Sequence, residues 1–165
     1  MKVLKFGGTS VGSVENMSNV KNIINDGKKK IVVLSAMSGT TNALLAIASN
    51  ISSNIPNEAI EKINKLHETY FNTIDKLLWN ESLNVDVKHY VTHIFNFLVE
   101  CTYQEYSLDL ENRIVAQGEL LSTYMFHNYL NQEGVKSSLL PALNFMRIDK
   151  NKEPDLFYIQ QDFEA

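Results

Sequence analysis

Residues 1–12, MKVLKFGGTSVG, place Lys5 near the end of a short apolar stretch, just before two adjacent glycines and two hydroxyl residues. Val3 to Phe6 reads as a strand. Gly7 and Gly8 keep side chains out of the way where the backbone leaves that strand, so successive N–H groups can point at one anion. The plain alternative is a strand-to-helix turn without a ligand. Beyond the turn, Val14, Met17, Val20, Ile23 and Ile24 recur at helical spacing, with Ser13 at the N-cap and Gly27 at the C-cap position. Residues 30–35, KIVVLS, then form a continuous β-branched and apolar run, which predicts a strand covered on both faces. A second small-residue loop, 36–41, leads into a helix of Leu44, Leu45, Ile47 and Ala48 capped by Thr40 or Thr41. The repeat of strand, small-residue turn and helix predicts a parallel α/β sheet. Both helix N-termini then face the strand tips, the edge at which open α/β sheets bind ligands.

The middle of the chain reads as helical. Pro56 suits a first turn, and Ile60, Ile63, Leu66, Tyr70, Ile74, Leu77 and Leu78 make one stripe ending near Trp79. A second long helix is expected from about Asp86 to Glu105, burying Val87, Tyr90, Val91, Ile94, Phe95, Leu98 and Cys101. Two such helices, antiparallel, would form a helical subdomain inserted at about residues 56–107. A third helical region runs from Leu110 to about Glu133 and stops at Gly134; extended character is expected again over Lys136 to Phe145 despite Pro141, and a charged loop over Asp149 to Pro154.

Composition narrows the function classes. The longest apolar runs, such as Ile31–Leu34 and Ala43–Ala48, fall far short of the roughly 20 residues a spanning helix needs, so no membrane role is expected. No cleavable leader is expected either, because Lys5 and the glycines interrupt the first apolar segment. A net charge of -4 argues against a nucleic-acid partner, since phosphate backbones are held by clustered positive charge that only Lys28 to Lys30 hints at. Cys101 is the single cysteine, which rules out an intrachain disulfide and fits a cytoplasmic protein with this residue in its core.

Among phosphate-binding patterns, the Walker loop fails because Gly12 is followed by Ser13 and Val14 rather than by lysine and a hydroxyl, and the dinucleotide fingerprint fails on glycine spacing. Lysines on strand ends are commonly exposed and idle. Beside the amides of a glycine turn, however, the Lys5 ammonium would meet the same polyanion, as phosphoryl transfer requires. Gly118-Glu119 is a second anomaly, since glycine inside a helix costs about 1 kcal/mol against alanine. It marks either close approach of a ligand or backbone, or a break between two helices with Glu119 as a first-turn acid. His89 and His93 stand four residues apart but lack a third metal ligand, and no G-x-S-x-G elbow is present, so no metal site and no hydrolase are expected.

Taken in order, KFGGTSV, IVVLSAMSGTTN and AQGELLST, followed by LPALNFMRID and EPD, resemble the N-terminal part of the aspartate kinases over essentially the whole chain. The resemblance implies the amino-acid kinase fold, an α/β three-layer αβα sandwich with a helical subdomain, of which this chain is the N-terminal half. It implies transfer of the γ-phosphoryl of ATP to the side-chain carboxylate of L-aspartate, with Mg²⁺, opening lysine, threonine and methionine synthesis. By the same resemblance Lys5, Gly7 and Gly8 hold the ATP phosphates, Lys5 taking the catalytic part, and Thr9 and Ser10 line that pocket. Ser35, Thr41 and Glu119 contact aspartate, Glu119 through the ammonium group. The net negative chain cannot neutralise ATP and aspartate globally, so local donors must.

Family members continue into a nucleotide-binding half with an R-G-G-S-D-like segment and then into ACT regulatory domains, none of which stands before Ala165. The expectation is therefore an inactive substrate-side portion that self-associates as a homo-oligomer through the apolar surface its missing half would cover. The competing readings are a stand-alone module for an anionic metabolite, and a glutamate or acetylglutamate kinase.

Overall fold

The computed structural model describes residues 1–164, with side chains over residues 1–161. Two strands, β1 (Lys2–Phe6) and β2 (Lys30–Leu34), pair in parallel with Lys5 opposite Val33 and Phe6 opposite Leu34. A 3-10 turn, Gly8–Val11, and helix α1 (Val14–Ile24) connect them. Helices α2 (Thr40–Ser52), α3 (Pro56–Leu77), α4 (Glu81–Cys101) and α5 (Leu108–Gln132) follow, then a 3-10 turn at Ala142–Asn144 and α6 (Leu156–Glu164). Among the described residues no helix is long and apolar enough to cross a membrane.

Helices α2 to α5 close a ring: α2 packs on α3, α3 on α4, α4 on α5, and α5 back on α2. Leu44, Ile47, Ile63, Tyr70, Ile74, Leu98, Ile114 and Leu121 are buried to 1% exposure or less in one core that also includes Val11 and Met17. Each such side chain contributes about 1.5–3 kcal/mol by leaving water. The α3–α4 pair thus shares its core with the strand-turn-helix units. Across the C-terminal end of α5, Glu133 joins three elements: one carboxylate oxygen accepts from Lys21 Nζ of α1 at 2.7 Å and the other from Trp79 Nε1 at 3.4 Å. Gln132 adds a pair of bonds to the α3–α4 connection, accepting from Asn80 N–H at 3.0 Å and donating to Leu77 O at 3.3 Å.

Ser13 caps α1 by accepting from Asn16 N–H at 3.1 Å, and Pro56 opens α3, as their positions predict. Gly134, at φ +71, ends α5 as a left-handed glycine should. Cys101 is buried, and burial pushes its thiol pKa up. Other expectations are corrected. The C-cap of α1 is Asn25, and Gly27, at φ +76, lies in the following turn. The N-cap of α2 is Gly39 at φ +83 rather than a threonine, because Thr40 is already helical and buried. Helix α4 starts at Glu81, capped by Asn80, whose side chain accepts from Leu83 N–H at 3.1 Å. β2 is covered on one face only, leaving Val33 exposed with Val3 of β1. The extended stretch expected over Lys136 to Phe145 pairs with no strand and is broken by the 3-10 turn at Ala142–Asn144, and α6 begins just beyond the charged loop, with Asp155 accepting from Tyr158 N–H at 3.1 Å.

Candidate functional site

The two strands end side by side, and Ser35 N–H donates to Phe6 O at 3.1 Å, carrying the ladder one step past the paired residues. Two turns therefore leave the sheet together at its C-terminal edge. The second, residues 35–39, is gripped from both flanks. A Cβ on Gly8 would lie 2.8 Å from Ala36 O, and one on Gly12 would lie 2.9 Å from the Ser38 Cβ. From α5, a Cβ on Gly118 would lie 2.8 Å from the Ala36 Cβ and 3.3 Å from both Thr40 Cγ2 and Leu44 Cδ1. Contacts under 3.0 Å are not available to real side chains, so these three positions need glycine for packing.

Helix α5 also reaches the turn through polar groups. Ser122, fully buried one turn after Gly118, donates to Ser35 O at 2.9 Å. Glu119 Oε1 accepts from Ala36 N–H at 3.3 Å, while its other oxygen has no protein partner among the described residues. The backbone of Ser35 is thus engaged on both sides, by Phe6 and by Ser122. Its hydroxyl has no hydrogen-bond partner among the described residues. Gly39 brings no side chain to cap α2, so the positive end of the α2 dipole sits over this turn. Beneath it, Thr40 Oγ1 and Tyr70 OH are hydrogen-bonded at 3.0 Å, both buried. Burial first, and then the Glu119 charge, hold the Tyr70 phenol protonated well above its ordinary range.

Of the residues singled out from sequence, the structure joins Ser35, Glu119 and Gly8 around one turn, and Thr41 follows directly, exposed, in the first turn of α2. The break reading of Gly118-Glu119 is excluded, because α5 is continuous through both. Close approach is what the glycine serves, and what approaches it is neither ligand nor backbone but the side chains of Ala36, Thr40 and Leu44. Lys5 is exposed on the bare face of the sheet with Val3 and Val33, and its ammonium makes no ion pair or hydrogen bond among the described residues. Gly7 has nothing within 4 Å of a would-be Cβ. Thr9 and Ser10 line a shallow depression with Phe6, Asn16, Asn19 and Ile23, on the α1 side and away from the face that carries Lys5. Asn16 Nδ2 donates to Thr9 O at 2.8 Å and fixes that turn. Sequence reading missed Ser122, Tyr70 and Gly39. Ser122 had a usable signal, since four residues after Gly118 places it on the same helix face.

Comparison with known proteins follows the same outline. The sequence pattern of the amino acid kinase family matches residues 1–159. Lysine-sensitive aspartokinase 3 of Escherichia coli K12 is 30% identical over 158 residues, covering 93% of this chain and 34% of the relative. The chloroplastic aspartokinase 1 of Arabidopsis thaliana is 34% identical over 164 residues, covering 93% of this chain and 28% of the relative. This chain therefore spans about a third of the length of these curated relatives. Among solved structures, E. coli aspartokinase III in complex with aspartate and ADP superposes with a TM-score of 0.81 at 28% identity, over 98% of this chain and 36% of that one. The same enzyme in complex with lysine and aspartate gives 0.82 at 27% identity, over 99% of this chain and 37% of that one.

Proposed function

Because this chain belongs to the amino acid kinase family, we propose that it supplies the aspartate-binding part of an aspartate kinase, which moves the γ-phosphoryl of ATP to the side-chain carboxylate of L-aspartate and forms 4-phospho-L-aspartate. The observation that carries this reading is the Glu119 carboxylate, anchored through one oxygen to Ala36 N–H and free at the other, beside the uncapped start of α2. That pairing suits a zwitterion with extra negative charge. The free oxygen of Glu119 takes the ammonium group, and the hydroxyls of Ser35 and Thr41, with the α2 amides, take carboxylate oxygens. The likeness to a structure holding aspartate and ADP supports the same assignment.

At the neighbouring turn, Lys5 and the amides after Gly7 face the phosphates. In the transfer a side-chain carboxylate oxygen of aspartate bonds to the γ-phosphorus as the bond to the β–γ bridging oxygen breaks, and ADP leaves with that electron pair. Lys5 neutralises charge on the transferring group, and the open Gly7 lets the backbone approach it. Thr9 and Ser10 enter as the turn that carries those amides, since their surroundings lie on the α1 side. The family implies Mg²⁺, but among the described residues no group of three or more His, Cys, Asp or Glu is arranged to hold an ion. No step is assigned to a metal ion. Entry into lysine, threonine and methionine synthesis, a cytoplasmic location, and self-association through the bare sheet face belong to the same reading.

Calorimetric titration of L-aspartate into the chain tests it. Saturable heat that vanishes in Glu119→Gln is expected. Binding that survives that change, or no heat with the parent chain, overturns the aspartate assignment. A coupled ADP-release assay on residues 1–165 alone is expected to give no turnover, and turnover lost in Lys5→Ala would refute that expectation.

A further inference from the structure

The first turn of α2 has no side-chain cap of its own, yet it must present Thr41 and its amides at a fixed angle to Glu119. What fixes it lies underneath. Thr40 is 2% exposed and is held from two directions: its methyl fits against Gly118 of α5, where a Cβ would come within 3.3 Å, and its hydroxyl bonds to Tyr70 OH of α3 at 3.0 Å. Tyr70 is completely buried and its ring lies 5.9 Å from that of Phe95 on α4, so the phenol is set by the ring of four helices rather than by the turn it supports. We propose that Tyr70 is a positioning residue for the substrate site, its hydroxyl locking the rotation of the first α2 turn through Thr40 so that Thr41 and the α2 amides meet the ligand that Glu119 holds. This inference rests on the aspartate reading above.

Chemistry fits the assignment. A phenol kept neutral by burial offers one O–H and accepting lone pairs at any pH the protein meets, so the lock does not titrate. A hydroxyl pair is directional where apolar packing is not, and small misplacements of binding groups reduce ligand affinity steeply. Other neighbours do not duplicate it: Thr40 N–H is engaged with Met37 O at 3.0 Å, which sets the turn but not the angle of the helix about its axis.

The test separates positioning from mere satisfaction of buried groups. Tyr70→Phe leaves the Thr40 hydroxyl buried and unpaired, so loss of stability alone would say nothing. The pair Thr40→Val with Tyr70→Phe removes both partners at nearly constant shape, and such double replacements are close to neutral for stability. For the parent, Tyr70→Phe and the double variant, three measurements are made: urea midpoint, hydrogen exchange without ligand of the amides of residues 43–45, which close the first helical bonds of α2, and calorimetric affinity for L-aspartate. The double variant is expected to regain the parent midpoint, yet to exchange faster at residues 43–45 and to bind aspartate about tenfold more weakly. Recovery of both the slow exchange and the affinity in the double variant overturns the proposal. Absence of heat with the parent chain overturns the aspartate reading instead, and the exchange comparison then decides by itself whether Tyr70 locks the α2 turn.

Discussion

The turn after β1 and the turn after β2 leave the sheet from paired residues, Phe6 and Leu34, and touch through Gly8 and Gly12, yet they begin in different surroundings. The β1 turn opens on Gly7 with free space around it and on an exposed lysine with no partner among the described residues. The β2 turn is enclosed: Ala36 and Met37 are buried, Gly8 sits against the Ala36 carbonyl, Gly12 against Ser38 and Gly118 against the Ala36 side chain, and Glu119 and Ser122 hold it by hydrogen bonds. The first turn starts in open space, and the second is held from three sides. The same residue type, glycine, does both jobs, and only its neighbours tell which.

Substitutions can break this contrast in graded steps. The largest effect is expected at Gly118→Val, which drives a branched side chain into Ala36, Thr40 and Leu44; denaturant unfolding is expected to register a loss of about 3 kcal/mol. Ser122→Ala comes next, since it leaves Ser35 O without its buried donor, and the urea midpoint is expected to fall by the equivalent of about 1.5 kcal/mol. The adjacent glycines then give opposite answers. Gly8→Ala is expected to cost about 1 kcal/mol against the Ala36 carbonyl, while Gly7→Ala, at φ -78 with open space, is expected to leave thermal stability unchanged within about 0.5 kcal/mol and to weaken nucleotide binding in the same preparation. Equal losses from both glycines would erase the distinction between an open and an enclosed turn.

The smallest effect concerns acid. His67 lies between Phe71 and Phe95, with ring centroids 4.3 and 4.6 Å away, its Nε2 is buried without a hydrogen-bond partner, and burial lowers its pKa below the ordinary 6.5. Between that lowered value and 6.5 the unfolded chain binds more protons, so stability rises with pH across that window and is complete above it. As pH falls through the window the native state loses this contribution. His127, also lowered by burial, adds in the same sense. Chemical denaturation at several pH values is expected to show the slope, and His67→Phe is expected to flatten it.

Much of the frame was legible in local patterns. Helical spacing in 14–24 and 56–78, the Ser13 cap, Pro56 and Gly134 located four element ends, because each rests on short-range backbone chemistry. Boundaries moved where capping competed with apolar spacing: α4 starts at Asn80–Glu81, and the expected start near Asp86 overlooked asparagine as a cap. The candidate site could be read in sequence as a set of residue types around two turns. What the sequence could not say is which glycine is open and which is filled, or that Tyr70 reaches Thr40 from thirty positions away, because long-range packing sets both. Both-face coverage of β2 failed for a related reason: a continuous apolar run records what a strand tolerates, and within the described residues only one face is met by helices.

The seam at Glu133 leaves an experimental handle. Trp79 is the only tryptophan in the chain, and its indole N–H already touches the carboxylate that Lys21 grips from α1. Its fluorescence therefore watches the junction of α1, α3 and α5 without any dye or label. Because α5 runs unbroken from that junction back to Glu119, a change in emission during an aspartate titration would reveal whether filling one end of this rod is felt at the other.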